Sequence, residues 1–139
     1  MKKRVPISQI MTRNVVTITT KDDLVTAEEL FKKHRIRHIP VVQGDTIVGM
    51  LSYTDLMRIS FADAIDEDEF EVDTMVYNMF SIEQVMVKDV VSVPPTSTVK
   101  EVAQFLALKE FHALPVVEDK KLVGIVTTTD LIRYLIDQY

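Results

Sequence analysis

An α/β fold made of one unit used twice is what this chain predicts, and three observations carry the prediction. The stretch from His38 to Leu56 recurs from Ala113 to Leu131, with Pro40 and Pro115, Gly49 and Gly124, and Asp55 and Asp130 each separated by the same 75 residues. Within each copy, short β-branched runs alternate with apolar stripes at helical spacing. Each copy alone is a thin strand–helix layer that cannot close a core, so each must pack on its twin. The expected architecture is two pseudo-symmetric β-α-β-β-α units packed sheet to sheet. The first repeat spans 7–65, an acidic linker 66–81 and the second repeat 82–139.

Taken in order, Pro6-Ile7-Ser8-Gln9-Ile10-Met11 predicts a short helical turn opened by proline. Its counterpart is Ser81-Ile82-Glu83-Gln84-Val85-Met86, where Ile, Gln and Met recur at the 75-residue step. Val15-Val16-Thr17-Ile18 and Val90-Val91-Ser92-Val93 predict brief strands. A helix follows in each copy, opened by a capping box at Thr20 with Asp23 and at Thr98 with Glu101. Leu24, Ala27, Leu30 and Phe31 form its apolar stripe, matched by Val99, Val102, Phe105 and Leu106. Strands are expected from Ile36 to Val42 and from Ile47 to Leu51, turning at Gln43-Gly44-Asp45. The second copy turns at Glu118-Asp119-Lys120-Lys121, without glycine.

Closing helices begin after Ser52 and Thr127. Leu56, Met57, Ile59, Phe61, Ala62 and Ile65 on the first, and Leu131, Ile132, Tyr134, Leu135 and Ile136 on the second, occupy more than one face. One face covers the sheet, and the surplus predicts a homodimer through these helices. Between the repeats, Asp63, Asp66, Glu67, Asp68, Glu69, Glu71 and Asp73 form an acidic run that reads as solvated surface. It lacks the central glycine of a calcium loop. Met75, Val76, Tyr77, Met79 and Phe80 are expected to return the chain to the core as a helical segment.

Composition narrows the function classes. The absence of cysteine excludes disulfides, a thiol nucleophile and a Cys-ligated zinc site. A net charge of −5 argues against general nucleic-acid binding, which needs a basic face. No apolar run reaches membrane-spanning length and no signal-peptide core follows Met1-Lys2-Lys3-Arg4, so a cytoplasmic protein is expected, with no membrane partner. His38 and His112 are not at metal-ligand spacing, so no metal site is expected. No nucleophile–base–orienter set and no phosphate loop of the Gly-x-x-x-x-Gly-Lys kind is present, so an enzyme is not expected.

The chemistry sits in Gly49-Met50-Leu51-Ser52-Tyr53-Thr54-Asp55-Leu56 and Gly124-Ile125-Val126-Thr127-Thr128-Thr129-Asp130-Leu131. A hydroxyl where a strand ends and a helix begins lies beside free N–H groups and the positive end of the helix dipole, a place suited to phosphate. An Asp one turn on can accept from vicinal hydroxyls such as those of ribose. The same residues also make a capping box. Capping needs no glycine three residues earlier, and glycine there suggests close approach of backbone or ligand to the strand.

With these residues in view, both copies resemble the cystathionine β-synthase (CBS) domain, and together a tandem CBS pair, or Bateman module. Leu/Ile-Pro-Val-Val and Gly-x-x-Ser/Thr-x-x-Asp-Leu carry the resemblance over almost the whole chain. It implies a disc formed by head-to-head or head-to-tail dimerisation. It also implies clefts for adenosyl ligands (AMP, ADP, ATP, S-adenosylmethionine or NADH) and regulation of a partner protein in trans. Carried over by position, Asp130 would hold the ribose hydroxyls and Thr127 a phosphate or the ribose, while Ser92 and Val93 would meet the adenine through side chain and backbone. Thr17, Ile18, Ser52 and Asp55 would do the same in the other site. Basic residues before the Pro-Val strand would reach the phosphates: Arg37-His38 in one copy, His112-Ala113 in the other. The resemblance therefore favours the pocket of Ser92, Thr127 and Asp130, approached by Arg37 and His38, over the one served by His112. The competing reading is a structural homodimerisation module with degenerate, non-binding pockets.

Overall fold

A computed structural model of the chain describes residues 4–63, 79–109 and 111–139, with side chains described outside 60–63. The acidic run, the return segment up to residue 78, and the burial expected of Phe61, Ala62 and Ile65 lie outside that description. The elements are a 3-10 turn Ile7–Gln9, α1 Leu24–His34, β1 His38–Gln43, β2 Thr46–Ser52, α2 Tyr53–Asp63, α3 Ile82–Val85, α4 Val99–Lys109, β3 Ala113–Glu118, β4 Lys121–Thr127 and α5 Thr128–Asp137. Among the described residues no helix is long and apolar enough to cross a membrane.

Two compact units emerge, and they do not follow chain order. One is Val16–Val90, here the Asp55 unit; the other, the Asp130 unit, joins Met1–Val15 to Val91–Tyr139. Each repeat thus lends its leading segment to the unit that holds the other repeat's hairpin. Ile7 and Met11 are buried with Val102, Leu106, Leu114, Val116 and Val126. Ile82 is buried with Leu24, Phe31, Ile39, Val41, Leu51 and Leu56. Burying a side chain such as Ile7 contributes about 1.5–3 kcal/mol, so these short segments are anchored by their apolar residues rather than by helix length.

Each unit has an antiparallel hairpin at its centre, β1 with β2 and β3 with β4, and both hairpins shift register at the equivalent valine pair, Val41/Val42 and Val116/Val117. Single bridges extend each hairpin on both sides. In the Asp55 unit, Ile18 pairs parallel with Val41 and Val87 antiparallel with Met50; in the Asp130 unit, Val93 pairs with Val116 and Thr12 with Ile125. The strands expected at 15–18 and 90–93 are therefore reduced to one bridged residue each. The hairpin turns differ. Gly44 takes φ +63° at the first turn position, whereas Asp119 and Lys120 are both left-handed, φ 51° and 68°. The second is the pattern of a two-residue type I′ turn, reached here without glycine.

One cap differs from expectation. Asp23 itself is the N-cap of α1, its carboxylate accepting from Thr26 N–H at 2.8 Å, while Thr19 N–H is bound by Asp22. Thr20 plays no such part. Asp23 stands 75 residues before Thr98, whose hydroxyl accepts from Glu101 N–H at 3.1 Å, so the two caps are equivalent. The Thr26 amide and hydroxyl hold the Asp23 carboxyl below its ordinary 3.8, against a smaller opposing effect of burial. A lowered folded pKa means the stabilisation is present above the unfolded value and lost as pH falls through the folded one. Asp23→Ala is expected to cost about 1 kcal/mol at neutral pH in urea unfolding. Asp23→Asn, which caps without titrating, should keep neutral stability and lose less than wild type on acidification to about pH 3.

Candidate functional site

The start of α5 carries the most completely built polar cluster among the described residues. Thr127 ends β4 in extended conformation, and its hydroxyl accepts from Asp130 N–H at 3.2 Å. In return Asp130 Oδ2 accepts from Thr127 N–H at 2.9 Å, so the capping box is complete. Thr12 adds the carboxylate's second donor: its hydroxyl lies 3.3 Å from Oδ1 and 3.4 Å from Oδ2. Asp130 is left 9% exposed, the one buried polar or charged side chain among the described residues.

The start of α2 is built from the same sequence pattern with a different result. Ser52 Oγ accepts from Asp55 N–H at 3.0 Å. Asp55 Oδ1 lies 3.5 Å from Arg58 Nη1, with the carboxylate side chain 26% exposed. The residue 75 positions after Thr12 is Val87, which pairs with Met50 through its N–H at 2.9 Å and its C=O at 3.0 Å but has no hydroxyl. One shared pattern therefore yields a buried carboxylate held by two donors, Thr127 N–H and the Thr12 hydroxyl, and a partly exposed carboxylate beside a cation.

Packing explains the glycines. A Cβ at Gly124 would lie 2.6 Å from Met11 Sδ and 3.1 Å from the Thr12 carbonyl oxygen. At Gly49 it would collide with Met86 Sδ and lie 2.9 Å from its Cγ. The close approach inferred from sequence is thus made by the exchanged leading segments, a methionine in both units and backbone in one. Ile10-Met11-Thr12 and Val85-Met86-Val87 recur at the step that reveals the glycines, which is the signal that could have linked them.

The remaining candidates fall as follows. Ser92, Val93, Thr127 and Asp130 belong to the Asp130 unit; Thr17, Ile18, Ser52 and Asp55 to the other. Both backbone groups of Val93 are used in pairing, N–H to Pro115 and C=O from Val117, and Ile18 does the same with Pro40 and Val42. Those two residues therefore offer a ligand chiefly their side chains, while Ser92 and Thr17 are exposed. Arg37, exposed, and His38, half-buried, stand at the start of β1 in the Asp55 unit. Arg37 and His112 are equivalent, each carbonyl accepting from the first N–H of the following helix, Tyr53 at 2.8 Å and Thr128 at 3.0 Å. The His112 side chain lines a mostly apolar cleft of about 550 Å³ with Leu106, Phe111, Leu131 and Ile132 between α4 and α5. In the other unit Tyr53 stands where Thr128 does here, its ring edge-on to Phe31 with centroids 5.5 Å apart.

The comparisons with known proteins agree with this architecture. YhcV of Bacillus subtilis, a CBS domain-containing protein, is 28% identical over 125 residues, 90% of this chain and 81% of that protein. Several other curated relatives are much longer; the chain spans 33% of a 28%-identical protein of Methanocaldococcus jannaschii. Among solved structures, the CBS domain pair of MJ0100, in complex with 5′-methylthioadenosine and S-adenosyl-L-methionine, superposes with a TM-score of 0.80 at 22% identity, covering 99% of this chain and all of that one. CBSX2 in complex with AMP gives 0.80 at 22% identity, covering 96% and 97%. The sequence profile of the CBS domain matches residues 7–62 and again 82–137, so the chain belongs to the CBS-domain family and carries a tandem pair.

Proposed function

We propose that the chain is a regulatory sensor that binds an adenosyl nucleotide and acts on a partner protein in trans, without catalysis of its own, as a cytoplasmic homodimer. The observation that carries the reading is the buried Asp130 carboxylate fixed at the opening of α5, in a family with solved members that hold S-adenosylmethionine and AMP. In this reading Asp130 accepts from the ribose, Thr127 meets the ribose or phosphate, and Ser92 and Val93 face the base. Arg37 and His38 supply charge to a phosphate. Thr17, Ile18, Ser52 and Asp55 make the second site, with His112 as its one basic residue. The repeats are taken as 7–65 and 82–139, joined by 66–81.

The dimer has its own support. Ile132, Leu135 and Ile136 fall at the i, i+3, i+4 spacing of one stripe on α5, yet all three are exposed, as is Tyr139 just beyond the helix end. Phe111, exposed just after α4, lines the α4–α5 cleft together with Ile132 of that stripe. An exposed apolar stripe beside an apolar cleft is the kind of surface that marks an interaction face.

Titration calorimetry with AMP, ADP, ATP, S-adenosylmethionine and NADH tests the sensor reading. A saturable heat with at least one ligand is expected, and none with any of them would overturn it. The complete capping box favours the alternative, a dimerisation module whose aspartates only cap helices; there Asp130→Ala would change stability and nothing else.

A further inference from the structure

We infer that Thr12, in the leading segment of the other repeat, is the positioning residue of the Asp130 site and gives that site its selectivity for an intact ribose. The inference deepens the adenosyl reading and rests on it. A carboxylate turns easily about its last torsion, so an aspartate serves as a directional acceptor only when both oxygens are restrained. Thr127 N–H fixes Oδ2 at 2.9 Å, and the Thr12 hydroxyl reaches both oxygens at 3.3 and 3.4 Å. Oδ1 has Thr12 as its one partner among the described residues and so keeps acceptor capacity for a ligand hydroxyl. The Thr12 hydroxyl, a donor to Asp130, also retains lone pairs to accept a second one.

Thr12 is not a mobile donor. Its N–H and C=O are both bonded to Ile125, at 2.8 and 2.9 Å, so the hydroxyl is delivered from a fixed position at the sheet edge. Its distances to Asp130 are long for an O–H···O bond, so the contact adds little to folding and acts mainly by orienting the carboxylate. In the other unit Val87 holds the same backbone place, and Arg58 rather than a hydroxyl faces Asp55. The two sites are therefore inequivalent by construction, with the hydroxyl-restrained one built for two vicinal hydroxyls.

The test compares AMP with 2′-deoxy-AMP by titration calorimetry on wild type, Thr12→Val and Thr12→Ser. Wild type should prefer AMP by about tenfold, Thr12→Val should reduce that ratio toward one, and Thr12→Ser should restore it. Thermal unfolding of Thr12→Val should stay close to wild type. An unchanged ratio in Thr12→Val overturns the inference while leaving adenosyl binding intact, as does an equal loss for both nucleotides, the mark of a merely structural role. Failure of wild type to bind AMP at all would remove the adenosyl reading and this inference with it.

Discussion

Replacing Ile132 and Ile136 with glutamate is expected to abolish the proposed homodimer, giving monomers in analytical ultracentrifugation where wild type sediments as a dimer, with each chain still folded by circular dichroism. Both side chains are more than half exposed, 56% and 64%, so the charges meet water in the free chain and cost the fold little. In a dimer through this face the same charges would be buried without partners, a penalty of several kcal/mol per ion. Two substitutions on each of two chains exceed what a modest apolar interface returns. A double variant that stays dimeric would place the interface elsewhere and leave the stripe on α5 unexplained.

Gly124→Val is expected to be strongly destabilising, by about 2–4 kcal/mol in urea unfolding. Met11 can swing its sulfur aside, but the Thr12 carbonyl, 3.1 Å from the added Cβ, is held in place by its bond from Ile125 N–H. The added methyl groups have no room on the strand. The smaller Gly124→Ala gives a cleaner measurement, because Met11→Ala removes the atoms it strikes. Met11 is itself buried, so its truncation alone costs about 2–5 kcal/mol. Urea unfolding of the two single variants and the double variant should show a cost below their sum by more than about 0.5 kcal/mol. Simple additivity would mean that the glycine is not there for the methionine.

How much of this was legible in the sequence follows from the kind of interaction involved. The repeat was readable because Pro40, Gly49 and Asp55 reappear at one constant step, and the hairpins because Pro-Val-Val and Val-Gly alternate with turn residues. Apolar stripes such as Leu24, Ala27 and Phe31 point to core because helical spacing alone puts them on one face. The α1 cap was misplaced because Thr20-x-x-Asp23 has the form of a box, whereas a carboxylate at Asp23 is itself a strong cap. The exchange of leading segments was not legible. Ile7 and Met11 show that they are apolar, but local spacing does not say which hairpin receives them, since both hairpins have nearly the same surface. Thr12 was missed for the same reason: its partner Asp130 lies 118 residues away, and only the fold joins them.

The most direct measurement is the affinity of AMP and S-adenosylmethionine for wild type, Asp130→Ala and Asp55→Ala, read by titration calorimetry on chains shown to be folded. Losing a hydrogen bond to a charged acceptor is worth about 1.5–3 kcal/mol, so Asp130→Ala should weaken the tighter site roughly ten- to hundredfold. Asp55→Ala should leave that site nearly untouched. Nucleotide affinity that is the same in Asp130→Ala and wild type would contradict the account at its centre.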